Sequence, residues 1–295
     1  MTPIQIIKED GSHEEFIPAK LERSLLRAGA SLQVAHQIIK TIVEDIQKGV
    51  CDPDNPGGGV CSVHAIHRKA FSMLKSMSAT AAARYSLRRS LMQFGPTGFP
   101  FEEYVGELYK AYGYKTLTGQ MVFGGCVPHE VDVVAWKEEE LIMAELKYHN
   151  ELAGKTDTKA ALYVKARYDD LKDVVFRYPG MKDRKIDRWL LITNTRFTDT
   201  AIKYAECKGL ELMSWSYPEE KNLFTLIEGA KLHPITCLLS LTDNDKQQLV
   251  KNGIVLCKSV YENRSVMKKL GFSDAKIFEV MDEIGKVIDL VPSDR

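Results

Sequence analysis

Between Glu130 and Lys147 the chain alternates as two strands about a tight turn. The first strand reads Glu130-Val131-Asp132-Val133-Val134-Ala135-Trp136 and the second Leu141-Ile142-Met143-Ala144-Glu145-Leu146-Lys147, around Lys137-Glu138-Glu139-Glu140. A turn centred between Glu138 and Glu139 sets Asp132 opposite Glu145, about 5 Å apart on one face. Lys147, two residues further on, shares that face, while Ile142, Ala144 and Leu146 take the other, apolar one. Two carboxylates side by side repel, and a divalent cation resolves the conflict. Mg2+ accepts one or two carboxylates and keeps several waters. Held so, it polarises a phosphate and activates a water, and an ammonium beside it neutralises the charge that builds up. Asp132 and Glu145 are therefore candidate metal ligands and Lys147 a candidate catalytic residue. A surface hairpin with a cross-strand salt bridge uses the same residue types, and the hairpin alone does not separate the two.

The surroundings read as an α/β core. Helices are expected at 101–112, 156–173 and 199–208, and strands near 114–118, 189–193 and 211–215. Residues 1–95 read differently: a strand at 4–7, a turn at Glu9-Asp10-Gly11, a return strand at Phe16-Ile17, then helices. The helices fall on Leu21/Leu25/Ala28, on Val34–Ile46, on Ser62–Met77 and on Thr80–Gln93, with a Pro/Gly loop at 52–59. Residues 231–295 read as short helices broken at Gly253, at Leu270-Gly271 and near Leu290-Val291-Pro292. Three domains are expected, at 1–95, 96–230 and 231–295.

Lys, Arg, Asp and Glu balance to zero net charge, which by itself does not favour a nucleic-acid binder. The middle segment carries 18 basic against 22 acidic side chains, as a metal-binding core would. No apolar run approaches the roughly 18–20 residues that span a bilayer, so no membrane partner and a cytoplasmic setting are expected. The six cysteines form no CxxC pair, and free thiols are expected. Gly154-Lys155-Thr156 lacks the earlier glycine of a phosphate-binding loop; Thr156 is expected to cap the following helix. Lys159, Lys165 and Arg167 on that helix are candidate phosphate contacts.

Three stretches together resemble the Mrr-like restriction endonucleases of the PD-(D/E)xK nuclease superfamily. They are the helix Phe101–Leu108 ending at Tyr112-Gly113-Tyr114, the Asp132 and Glu145-Leu146-Lys147 pair, and Leu190–Asn194 with Phe197, Ala201, Ala205, Gly209 and Trp215. The resemblance implies a restriction-endonuclease-like α/β/α core that hydrolyses DNA with Mg2+ or Mn2+. It places Asp132, Glu145 and Lys147 in the catalytic set and adds Glu102, the family's helix acid. Val131 stands where that family often has proline.

Residues 1–95 resemble an ATP-cone, through Ile7-Lys8, Asp10-Gly11, Phe16, Lys20-Leu21, Ser24-Leu25, Ala28-Gly29, Ile66-His67, Leu74-Lys75 and Ala83-Arg84-Tyr85. That resemblance implies a mostly helical module capped by a small β-hairpin, binding ATP or dATP. Lys8 and Lys20 match its phosphate-contacting lysines and His67 a position near the nucleotide; Glu9 stands where a basic residue is usual. The last segment is expected to be a small helical domain for DNA binding or self-association. The function expected is a DNA endonuclease regulated by ATP or dATP, acting as a homo-oligomer. The alternative is a nucleotide-sensing DNA-binding regulator with an inactive nuclease core.

Overall fold

Residues 141–144 of the second strand are apolar at every position, which a strand requires only where both of its faces are covered. The computed structural model, which describes residues 4–8, 11–48, 50 and 61–288, puts this strand in the middle of a sheet. Five strands form it: β4 (Lys115–Phe123), β5 (Pro128–Lys137), β6 (Glu140–Lys147), β8 (Arg188–Thr193) and β10 (Glu211–Met213), in the order β10-β8-β6-β5-β4. β4, β5 and β6 form an antiparallel meander, and β8 and β10 continue it in parallel. A two-stranded sheet, β7 (Lys155–Thr156) with β9 (Arg196–Phe197), has no counterpart in the sequence reading.

Helices cover both faces. α6 (Phe99–Ala111) packs on β4 and β5, while α7 (Thr158–Leu171) and α8 (Asp199–Lys208) pack on each other and close the opposite side. There Val134, Trp136, Leu141, Met143 and Leu191 meet Ala161, Val164, Ala201 and Ala205 in one apolar cluster. The alternate residues Val133, Ala135, Ile142 and Ala144 are buried on the other face. This is the expected α/β/α core. Its cap is not the expected one: α7 is capped by Asp157, whose side chain accepts from Ala160 N–H at 3.2 Å. Thr156 Oγ1 lies instead 2.9 Å from His149 Nε2.

The chain divides into two compact units. One holds the sheet, the rest of 88–236 and residues 241–281. Within this unit the short helices α9 (Leu223–Ala230), α10 (Asp243–Lys251), α11 (Cys257–Glu262) and α12 (Ser265–Lys269) follow the sheet. The breaks expected at Gly253 and Gly271 carry φ of +74° and +85°. The third expected break lies outside the described residues. Helix α13 (Asp274–Val287) runs on from this unit into the other.

The other unit takes the described residues up to Leu87, Cys237–Ser240 and those from Asp282 on. Here β1 (Gln5–Ile7) pairs antiparallel with β2 (His13–Glu15) and parallel with β3 (Cys61–Ser62). The return strand thus ends before Phe16, whose N–H bonds Ile4 O at 2.8 Å. Helices α1 (Pro18–Arg27), α2 (Leu32–Lys48), α3 (Val63–Met77) and α4 (Ala79–Tyr85) bury Leu25, Ile38, Ile42, Ala70 and Leu74 against one another. The helix expected at 80–93 is broken at Ser86, which caps α4 and bonds Ala83 O through its hydroxyl at 2.9 Å; α5 (Leu87–Leu91) begins after it. The loop at 52–59 lies outside the described residues. Cys126, Cys207, Cys237 and Cys257 are free thiols, but Cys61 is disulfide-bonded, against the expectation of free thiols throughout. Among the described residues no helix is long and apolar enough to cross a membrane.

Candidate active site

The hairpin register decides where the acids go. Lys137 pairs with Glu140 and Val133 with Ala144, so Asp132 and Glu145 are the next positions beyond the ladder's end. They lie on the face toward α7, as does Lys147, which is exposed at the end of β6. Across β4, Gly119 stands between the pairs Thr118–Val133 and Gln120–Val131 with φ +58°. Glycine adopts that left-handed backbone without strain, and it leaves Asp132 no side chain across the strand on that side.

Burial and mutual charge govern the electrostatics. Burial first, then the charge of Asp132, pushes the Glu145 carboxyl up to about 7, with Arg167 pulling the other way. Asp132 is also raised, mainly by burial, and partly offset by the Leu146 N–H, which donates to Oδ2 at 2.6 Å. Glu102, in the first turn of α6, is pushed to about 7 by burial, then by Asp132 and Glu130. Three carboxyls thus feel one another.

The strand end is held firmly. Thr193 Oγ1 donates to Lys147 O at 2.7 Å. Two residues on, Asn194 clips His149 twice, accepting from its N–H at 2.9 Å and donating to its O at 2.8 Å. On the hairpin's far loop, Asp170 of α7 accepts from the N–H groups of Cys126 and Val127 and lies 2.7 Å from His129 Nε2. His129 is therefore committed to holding the loop.

Arg167, expected as a phosphate contact, is instead buried at the site, where the sequence reading did not place it. Its Nη1 donates to Glu145 Oε2. The signal was present: Ala161, Val164, Arg167 and Leu171 form the buried stripe of α7, and a charge in such a stripe needs a partner beneath it.

The donor set suits a hard divalent cation. Two partly buried carboxylates stand together, the charge of Asp132 raising Glu145, and a cationic side chain already sits against Glu145. Among the described residues no three His, Cys, Asp or Glu stand close enough to hold an ion by themselves. Mg2+ needs only one or two carboxylates with waters.

In the N-terminal unit, Lys8 and Lys20 converge on Glu14, at 3.1 and 3.7 Å. Lys20 and Glu14 line a cavity with Ile6, Phe16, Ile66 and His67. His67 Nδ1 lies 2.5 Å from the Tyr85 hydroxyl. Lys20 in the lining, with Lys8 on the same Glu14, and an apolar wall fit an anionic ligand with a flat ring.

Three families match this chain: restriction endonuclease over residues 96–216, ATP cone domain over 4–92, and AF1548-like, C-terminal over 233–288. An uncharacterized protein of Archaeoglobus fulgidus is 36% identical over 185 residues, 62% of this chain and 99% of that protein. The crystal structure of AF1548, a protein of unknown function, is 34% identical, covers 65% of this chain and 99% of that one, and has a TM-score of 0.52. The transcriptional repressor NrdR of Rippkaea orientalis is 44% identical over 45 residues, 15% of this chain and 25% of the repressor. The chain therefore belongs to the family of the Archaeoglobus fulgidus protein, with a restriction endonuclease domain at its centre and an ATP cone domain before it.

Proposed function

We propose that this chain is a Mg2+- or Mn2+-dependent DNA endonuclease whose activity responds to ATP or dATP. The observation that carries the reading is the register of β5 on β6, which brings Asp132, Glu145 and Lys147 to one face at one sheet end. Asp132 and Glu145 hold the cation, which when bound supplies a polarised phosphate and an activated water. Lys147 lends its ammonium to orient that water and to offset charge gathering on the phosphate oxygens. The water oxygen attacks phosphorus in line, one P–O ester bond breaks, and the leaving oxygen takes up a proton. Glu102 of α6 is the third acid of the same proposal, its carboxyl raised in part by the charge of Asp132.

Lys8, Lys20 and His67 make up the nucleotide site of the same proposal, and the domain limits are 1–95, 96–230 and 231–295, with self-association of the whole chain. Regulation requires the nucleotide to bind two states of the chain unequally.

The test is cleavage of duplex, single-stranded, branched and methylated DNA in Mg2+ or Mn2+, with and without ATP or dATP. The wild type is expected to cut and Lys147→Ala to lose at least 100-fold in rate. DNA that is bound and left intact in every condition would refute the nuclease. It would favour a nucleotide-sensing DNA-binding regulator, a reading that Arg167 on Glu145 and the likeness to transcriptional repressors both support.

A further inference from the structure

Arg167 is only 7% exposed, and its partner is one of the two acids that the proposed function needs for metal. A buried guanidinium is stable where it forks onto a carboxylate through two parallel N–H bonds. Arg167 does not: Nη1 reaches Glu145 Oε2, while Nε is buried with no hydrogen-bond partner. A buried donor whose bond is unmade is costly, so this seat is an imperfect one. A second seat lies beside it. The guanidinium carbon stands 5.4 Å from the ring centroid of Tyr163, one turn back on α7, and that ring is 61% exposed. A ring face is a favourable place for a guanidinium that has left its carboxylate. Asp132, by contrast, accepts among the described residues only a backbone N–H.

Resting on the nuclease reading, we propose that Arg167 is a displaceable counter-ion of the metal site, a positioning residue that holds Glu145 in the metal-free protein and yields Oε2 to the incoming cation. Arg167 and the divalent ion then compete for one carboxylate. Metal affinity in the wild type is the difference between the two interactions, so metal binds more weakly than the acids alone would allow.

The experiment is titration calorimetry of the full-length protein with Mn2+, without DNA or nucleotide, so that binding is read apart from cleavage. Arg167→Gln is expected to bind Mn2+ at least ten-fold more tightly than the wild type. Arg167→Lys keeps the charge but loses the planar fork, and is expected to fall between them; it decides the matter if the Gln variant does not fold. Lys165→Gln removes a charge from the same helix whose partner is Asp169, and is expected to change affinity less than three-fold. Unchanged or weaker binding in the Arg167 variants, or equal tightening in Lys165→Gln, overturns the proposal and leaves the nuclease reading standing. Failure of the wild type and all variants to bind Mn2+ overturns the nuclease reading and this proposal with it.

Discussion

Glu102 carries the electrostatic stress of the site in its simplest form, because no basic side chain is among the causes of its shift. Its carboxyl titrates near 4.5 when unperturbed and near 7 in the folded protein. Below pH 4.5 it is protonated in both states and contributes nothing. Between 4.5 and 7 the folded chain keeps a proton that the unfolded chain has shed, so stability falls as pH rises, and above 7 the full cost is present. Glu102→Gln is therefore expected to stabilise the chelator-treated protein at pH 8 by on the order of 1 kcal/mol, allowing for the group's partial exposure, and by little at pH 5. Urea unfolding at the two pH values measures this. An equal gain at both would mean that the charge is not the cause. Of this cluster, Asp132 and Glu145 were legible from strand period and turn position, since both lie on one hairpin. Glu102 came from resemblance. The partner of Glu145 was not legible, because nothing local in the sequence ties residue 145 to residue 167; only the fold brings α7 over β6.

At the scale of elements, the β4–β5 hairpin depends on a carboxylate from another element. Asp170 accepts from two backbone N–H groups of the loop and from His129. These bonds, with His129 first among the causes, hold it at about 2. Gly124 lies so close to Asp170 that any side chain there would meet its carboxylate, so loop and helix fit only with glycine. Asp170→Ala leaves two amides without acceptors and is expected to raise hydrogen exchange at Cys126 and Val127 at least ten-fold, with the β5–β6 pairs unchanged. Exchange mass spectrometry reads this directly, and unaltered protection of the loop would show that the hairpin holds itself. The wild-type clamp is lost only as pH falls through about 2, because a lowered carboxylate contributes above its ordinary value and fades below its folded one. The sequence reading stopped β4 near residue 118 and missed its arm out to Phe123. Gly119 interrupts the alternation there, and Met121 and Phe123 are exposed apolar residues, so the pattern that marks a half-buried strand is absent.

On the scale of the whole molecule, the question is what nucleotide chemistry the N-terminal unit adds to a core proposed to use a metal. Lys8 and Lys20 share Glu14 as their counter-charge, so an incoming triphosphate must replace a carboxylate with its own oxygens. Glu14 opposes binding by repelling the phosphates, and the two lysines favour it. Ligand that binds only the folded state stabilises by RT ln(1 + [L]/Kd), about 2.7 kcal/mol at a hundred-fold excess over Kd. That raises the melting midpoint of a unit this size by several degrees. Scanning calorimetry of the full chain is expected to show that rise with ATP or dATP. Lys20→Ala should remove it at the same nucleotide concentration, and Glu14→Gln should reach it at lower concentration. A rise that survives Lys20→Ala would place the nucleotide elsewhere. Regulation asks for more than binding, because a nucleotide with equal affinity for every state of the chain shifts none of them. The decisive comparison is therefore the Mn2+ affinity of the core with and without saturating ATP. By linkage, any change there must be matched by an equal change in ATP affinity when Mn2+ is present, and the absence of both would leave two sites on one chain that act independently.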